Sequence, residues 1–257
     1  MCGVFGMHFV HPTSEDLELC ERVFRNLQIR GRHASGVAYI KDDKIQGYSK
    51  PVPVDALLSE FNLSDAVDED YNEIVLIAHA RYSTSDLEHN QPLFGEKRAI
   101  AHNGVITQAD PSTWESEYGL IAKNGNDSSL VLAALDQGIH PLKYFPDASM
   151  AVLELDTTNC TIKGFRNGQR PLWHADLGTG IIFSSTQDAL VRAGIEKSQI
   201  DDCINGVIYE SRTLGMGTYS RADPGVFAKK RYPDGLGQDL QIDIQIKPTT
   251  IKDFKGD

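Results

Sequence analysis

Four short segments carry side chains that can act together on an acyl group. The first is Cys2. Methionine is commonly trimmed before a small residue, which leaves a thiol and a free α-amine on Cys2. That amine ordinarily titrates at about 7.7–8.0 and the thiol at about 8.5, so one residue holds both a nucleophile and its base. The second segment, His79-Ala80-Arg81-Tyr82-Ser83-Thr84, closes an apolar run with a guanidinium and three hydroxyls. Arg81 can grip a carboxylate with two parallel hydrogen bonds, and Thr84 can add another. In the third, the Asn103 side chain and the Gly104 main-chain N–H can aim at one oxygen, as a tetrahedral acyl intermediate requires. In the fourth, Asn126-Asp127-Ser128, Asp127 can accept from an ammonium or cap a helix. Ordinary alternatives stand beside these. Cys2 can be a small buried hydrophobe, Arg81 half of a surface ion pair, and Asn103-Gly104 a plain turn.

The elements that position them follow from periodicity and turn residues. Residues 3–10 read as a buried strand one residue after the cysteine. Thr13 or Ser14 caps a helix carrying Leu17, Leu19, Val23, Phe24 and Leu27, with Gly31 as its C′ residue. Residues 35–40 and 44–48 flank Lys41-Asp42-Asp43 as a hairpin. The acidic stretch from Asp65 to Glu73 reads as a solvated loop. Residues 73–80 form a short apolar strand that carries His79 near its end, and 98–102 another ending at His102. Asp127 caps a helix through residue 137, with Gly138 after it. Residues 148–156 and 160–165 make a second hairpin; 181–185 is a strand, and Thr186 starts a helix toward Gly194. Leu240, Ile242, Ile244 and Ile246 alternate as a strand with one buried face. Interspersed strands and helices without a Pro/Gly/Ser-rich linker predict an α+β layered single domain, residues 1–257.

Read together, these segments resemble the class II glutamine amidotransferases, the amidotransferase domain of glutamine phosphoribosylpyrophosphate amidotransferase, glucosamine-6-phosphate synthase, glutamate synthase and asparagine synthetase. The stretches that carry the resemblance are MCGVFG at 1–6, RGRHASG at 30–36, HARYST at 79–84 and NQP at 90–92. AHNG at 101–104, NDS at 126–128, GQRPL at 168–172 and FSST at 183–186 complete them. They span about 2–195, leaving 196–257 as a C-terminal extension on the same domain. The resemblance implies a four-layer αββα sandwich of two antiparallel sheets, the N-terminal-nucleophile hydrolase fold. It implies glutamine as substrate and Cys2 as nucleophile, with Asn103 and Gly104 as the oxyanion hole. Arg81 and Thr84 would take the substrate carboxylate and Asp127 its ammonium. Arg30 and Gly31 would support the nucleophile, and His79 and His102 would frame the site as packed, hydrogen-bonded residues. The sequence departs from the family pattern at His33, where an acidic residue is usual, and at Asp86, where glycine is usual.

Charge and composition narrow the classes. A formal net charge of −11 argues against nucleic acid or an anionic membrane as the main partner. The start lacks the basic and apolar regions of a signal peptide, and no apolar run reaches 18 residues, so the chain reads as cytoplasmic. Cys2, Cys20, Cys160 and Cys203 show no C-x-x-C spacing, which gives no reason to expect a metal or any other cofactor. Trp114 and Trp173 read as packing residues. No S-G-G-x-D-S loop and no Gly-rich phosphate loop follows the matched region. The expectation is therefore a stand-alone amidotransferase that hands ammonia to a separate synthase. The alternatives are an N-terminal-nucleophile amidase for another amide and a non-catalytic glutamine-binding subunit.

Overall fold

A computed structural model describes residues 2–83 and 88–211 and the backbone of 218–221. These all lie in one compact unit, Met1–Phe227. The strand expected around Leu240–Ile246, and the packing of 228–257, lie outside the described residues.

Cys2 leads directly into β1 (Gly3–Val10), which is buried along nearly its whole length. The following helix, α1 (Ser14–Asn26), opens on a capping box. Thr13 Oγ1 accepts the Asp16 N–H, and the Asp16 carboxylate accepts the Thr13 N–H, so Thr13 is the cap. The helix does not end at Gly31. It stops at Asn26 and tightens into a 3-10 turn, Leu27–Ile29. Gly31 is required for a different reason: a Cβ there would lie 2.2 Å from the Arg81 carbonyl carbon and 2.4 Å from the Tyr82 nitrogen. Two backbones therefore touch beside Cys2.

The hairpin β2 (Ala34–Lys41) and β3 (Lys44–Lys50) turns through Asp42 and Asp43 at φ 53° and 58°. After α2 (Val54–Leu58), the acidic stretch is not merely solvated. Asp68 is buried, and its carboxylate accepts the N–H groups of Asp42 at 2.9 Å and Asp70 at 3.1 Å. Next come β4 (Glu73–Arg81), β5 (Leu93–Phe94) and β6 (Arg98–Val105), then the helices α3 (Trp114–Tyr118), α4 (Ser128–Asp136) and α5 (Pro141–Tyr144). The second hairpin is β7 (Ser149–Asp156) with β8 (Thr161–Asn167). The described part closes with β9 (Trp173–Asp176), β10 (Gly180–Ser184), α6 (Gln187–Ala193), β11 (Ile200–Asp202), β12 (Val207–Glu210) and β13 (Thr218–Arg221).

One sheet has the order β11-β9-β10-β1-β4-β2-β3 and the other β13-β12-β8-β7-β6-β5. Every pairing within them is antiparallel. Alternation along the strands builds three cores. Phe5, Met7 and Phe9 face Val23, Phe24 and Leu190 of the first helix layer. Val4, Val75 and Ile77 face Ala99, Ala101 and Leu153 across the gap between the sheets. Ile100, Val152 and Phe165 face Leu130, Val131 and Ala134 of α4 in the second helix layer. The result is the four-layer αββα sandwich, with burial of each large side chain contributing about 1.5–3 kcal/mol. No described helix is long and apolar enough to cross a membrane.

Gly31→Ala should destabilise the fold by about 1–3 kcal/mol, the usual range for overpacking. The check is a lower urea midpoint at unchanged slope. An unaltered midpoint would mean that the 30–33 turn moves freely away from Arg81.

Candidate active site

Strand register brings the chemistry-bearing residues to one end of the sandwich. Gly3 stands opposite Ala80, Ala34 opposite Arg81, and Val105 opposite Ser149. Alternation then decides the face. Val4 lies in the core between the sheets, so Cys2, two residues earlier, shares that face. Val75 and Ile77 put His79 and Arg81 there from β4, and Ala99 and Ala101 put Asn103 there from β6. His102 takes the opposite face of β6, toward α4.

The Cys2 thiol points at the Tyr82 carbonyl, Sγ to O 3.8 Å, and the Cys2 carbonyl accepts from Arg30 Nε at 3.4 Å. The start of β1 is clamped from β10: Val4 N–H donates to Ser185 Oγ at 3.1 Å, and Ser185 N–H to the Val4 carbonyl at 2.9 Å. Asn103 is buried, and its Nδ2 has no hydrogen-bond partner. Gly104 follows at the rim, where a Cβ would meet the Ser149 carbonyl at 2.1 Å and His102 Nε2 at 2.6 Å. Arg81 is buried and donates from Nη1 to Asn90 Oδ1 at 2.8 Å.

Asp127 stands at the N-cap position of α4 but does not cap it. Its backbone is already helical, and Asn126 Oδ1 takes the Ser128 N–H at 3.0 Å instead. Asp127 Oδ2 accepts the Ile106 N–H at 2.6 Å, which ties the carboxylate to the chain just past Gly104. Thr84 and Asp86 lie outside the described residues. His33 is placed: its Nδ1 accepts the Ser83 N–H at 3.0 Å, and its ring stacks on Tyr82 with centroids 4.9 Å apart.

The histidines differ from expectation in one respect. His102 is hydrogen-bonded, whereas His79 is completely buried with no partner on either ring nitrogen. Burial, with the charges of His102 and Arg81, pushes His79 down to about 3. Burial also brings His102 down to about 4, against the pull of Asp127 and with the push of Arg170. Both rings are therefore neutral near pH 7. Arg30 holds its proton less firmly than usual, through burial first and the nearby charge of Arg170 second, with Cys2 opposing.

Several supporting residues have no role in the sequence reading, although they fall in segments it marks. Gln91, in NQP, accepts the His102 N–H through Oε1 at 2.6 Å and donates through Nε2 to Ser128 Oγ at 3.1 Å. Ser128, in NDS, meets His102 Nδ1 at 2.8 Å. Ser128 Oγ thus joins Gln91 and His102 in one buried group, since a hydroxyl can accept from Gln91 and still bond to the imidazole. Ser185 lies in FSST and Arg170 in GQRPL. An open cleft of about 620 Å³ runs behind the 30–33 turn, past Ile29, Arg32, His33 and Tyr82; Cys2, Asn103 and Asp127 are not in its wall. Among the described residues, no three His, Cys, Asp or Glu side chains are grouped to hold a metal ion.

No protein-family model matches the chain. It is 30% identical over 152 residues to 7-cyano-7-deazaguanine synthase 2 of Sulfurisphaera tokodaii, which is 53% of this chain and 31% of that protein. It is 28% identical over 148 residues to the chloroplastic amidophosphoribosyltransferase of Glycine max, 54% of this chain and 25% of that one. The chain thus spans less than a third of the length of these curated relatives. Glutamine phosphoribosylpyrophosphate amidotransferase from B. subtilis, solved in complex with ADP and GMP, superposes with a TM-score of 0.67 at 20% identity. That match covers 90% of this chain and 50% of the solved one. The two antiparallel sheets and their helix layers are accordingly the N-terminal-nucleophile fold of the glutamine phosphoribosylpyrophosphate amidotransferases, the family that the sequence segments resemble.

Proposed function

We propose that this chain is a class II glutamine amidotransferase domain that hydrolyses the side-chain amide of glutamine. The observation that carries the reading is the Cys2, Arg81 and Asn103 group on the inner faces at one end of the sandwich, with the Asn103 amide buried and unpaired. An unmade buried donor costs about 1–3 kcal/mol. A developing oxyanion would recover that cost where it speeds the reaction, and substrate binding alone would recover less.

With Met1 removed, the Cys2 α-amine takes the thiol proton, and Sγ adds to the amide carbon. The carbonyl oxygen becomes an oxyanion facing Asn103 Nδ2 and the Gly104 N–H. The intermediate collapses with cleavage of the C–N bond, and the ammonium of Cys2 returns its proton to the departing nitrogen. Ammonia and a thioester result. Water then attacks the thioester, giving glutamate and restoring the thiol. Arg81 takes the substrate α-carboxylate, with Asn90 holding the guanidinium in place, and Asp127 takes the α-ammonium. This pair of charges favours an amino-acid amide over an amide that lacks them. Gln91, Ser128 and His102 brace the β6 end from the helix side. The domain would pass its ammonia to a synthase activity outside the described stretch.

Glutamine hydrolysis by the purified chain is the direct test. Cys2→Ala should abolish it and leave glutamine binding measurable by calorimetry. Asn103→Ala should lower turnover by on the order of 10²–10³ with a smaller effect on binding. Activity that survives in Cys2→Ala would sink the reading.

Arg81→Lys should mainly raise the Michaelis constant, because it keeps the charge but loses the two-pronged grip. A drop in kcat as large as that of Asn103→Ala would show that the carboxylate and oxyanion roles are misassigned.

Active protein should lack Met1, visible as the loss of one methionine by mass spectrometry. A retained Met1 would turn the α-amine into an amide and remove its basicity. Full activity from a homogeneous Met1-bearing sample would exclude the α-amine as base.

A further inference from the structure

The turn between β8 and β9 closes the same end of the sandwich as Cys2. Gly168 adopts φ +69°, and the Gln169 N–H donates to Ser149 Oγ at 3.3 Å. Arg166 Nη1 donates to the Arg170 carbonyl at 3.2 Å, and Leu172 is buried in the core between the sheets. Ser149 is also the residue whose carbonyl lies against Gly104. Arg170 is therefore pinned beside the Asn103–Gly104 corner. Its Nε is buried without a hydrogen-bond partner, and no described carboxylate pairs with its guanidinium. Among the described residues, Arg98 by contrast pairs with Glu154 and Arg166 with Asp202. An unpaired half-buried cation is costly unless something at the site uses it.

The charged and titratable groups gathered at this end are Arg30, after α1, and His79 and Arg81, from β4. With them stand His102 from β6, Asp127 before α4, and His33 and Tyr82 from the adjoining turns. Glu88 and His89 follow on the stretch that leads to Asn90, the partner of Arg81, and the Asp127 carboxylate is tied to the Ile106 N–H. Arg30 contacts the Cys2 carbonyl directly, and the Arg170 charge acts on both Arg30 and His102.

We propose that Arg170 is an electrostatic positioning residue: its unpaired guanidinium, with Arg30, biases the Cys2 α-amine toward the uncharged form that accepts the thiol proton. The step it assists is the transfer of that proton from Sγ to the amine nitrogen. A like charge nearby disfavours the protonated amine and leaves the neutral form untouched. This inference rests on the glutaminase reading for its purpose, but its physical content does not need glutamine.

The test is the titration midpoint of the Cys2 α-amine in Met1-free protein, read by competitive acetylation of the N-terminal peptide across pH. In the unaltered chain the midpoint should lie below the ordinary range of about 7.7–8.0. Arg170→Gln should raise it by about half a pH unit or more, and Arg170→Lys should leave it within about 0.2 unit of the unaltered value. The acid limb of kcat/KM for glutamine should follow the same shifts, which a merely structural role for Arg170 would not produce. An unaltered-chain midpoint within or above the ordinary range overturns the proposal, whether or not the variants fold. So does an Arg170→Gln midpoint that does not move. A low midpoint that rises in Arg170→Gln, in a chain that hydrolyses no glutamine, supports Arg170 and defeats the glutaminase reading instead.

Discussion

The pairing of β1 with β4 is the constraint on which the site depends. Gly3 opposite Ala80 sets Cys2 beside Arg81, and the same register puts both side chains on the inner face. Side chains alternate with a period of two, so a slip of one residue would turn Cys2 toward the helix layer. Burial prevents the slip. It would move Phe5, Met7 and Phe9 from the first helix layer into the gap between the sheets. Cys2 is thus aimed by phenylalanines and a methionine as well as by its contacts with Tyr82 and Arg30. Gly31 adds a second lock: with no Cβ, the turn after α1 touches the Arg81–Tyr82 backbone and holds the carbonyl at which the thiol points.

Polar satisfaction distinguishes the two ends of the sandwich. Away from Cys2, the described buried polar side chains are largely paired, with His140 Nε2 at the start of α5 as an exception. His8 joins Glu73 at 2.6 Å and Ser211 at 2.7 Å, and Ser211 Oγ also takes the Ile162 N–H, so the group links the two sheets. Arg98, Glu154, Asp156 and Lys163 neutralise one another along β6, β7 and β8. At the Cys2 end, Asn103 Nδ2, both nitrogens of His79, His102 Nε2 and Arg170 Nε are buried without partners. Stability alone would select against such a concentration, since each orphaned group keeps its desolvation cost. Its location around a thiol is the kind of local sacrifice that functional sites make.

Much of this was legible in the residues, for physical reasons. The long strands announced themselves because burial on one or both faces imposes apolar patterns over eight or nine positions. The short elements α2, α3, α5, β5, β9, β11 and β12 did not, because five residues or fewer carry too little periodicity. Thr13 and Ser14 were both open as caps, and the Asp16 carboxylate that answers the Thr13 N–H decides for Thr13. Asp127 is likewise a residue suited to capping in front of a helix, yet its partner is Ile106, 21 positions back; only the tertiary fold decides between the two bonds. Asp68 fails to solvate for a similar reason, since the N–H it needs belongs to the β2–β3 turn. Asn90, Gln91, Ser128 and Arg170 were marked as parts of segments without roles, because their roles exist only in the contacts the fold creates.

The state of the histidines bears on the choice of base. Every cysteine nucleophile needs a group to take its proton, and histidine is the usual one. Here His79 and His102 titrate at about 3 and about 4, so each is neutral at pH 7 but too weakly basic to hold a thiol proton well. Their placement agrees with this. His79 is sealed in the gap between the sheets, and His102 turns its Nδ1 to Ser128 on the helix side. The same burial that makes them good packing makes them poor bases. Basicity near neutral pH must then come from a group that stays partly in water. Cys2 is half-exposed at the start of β1, and once Met1 is removed its α-amine stands on the same residue as the thiol. The αββα fold thus supplies the proposed reaction with rigid walls and fixed donors, and leaves proton transfer to the chain terminus.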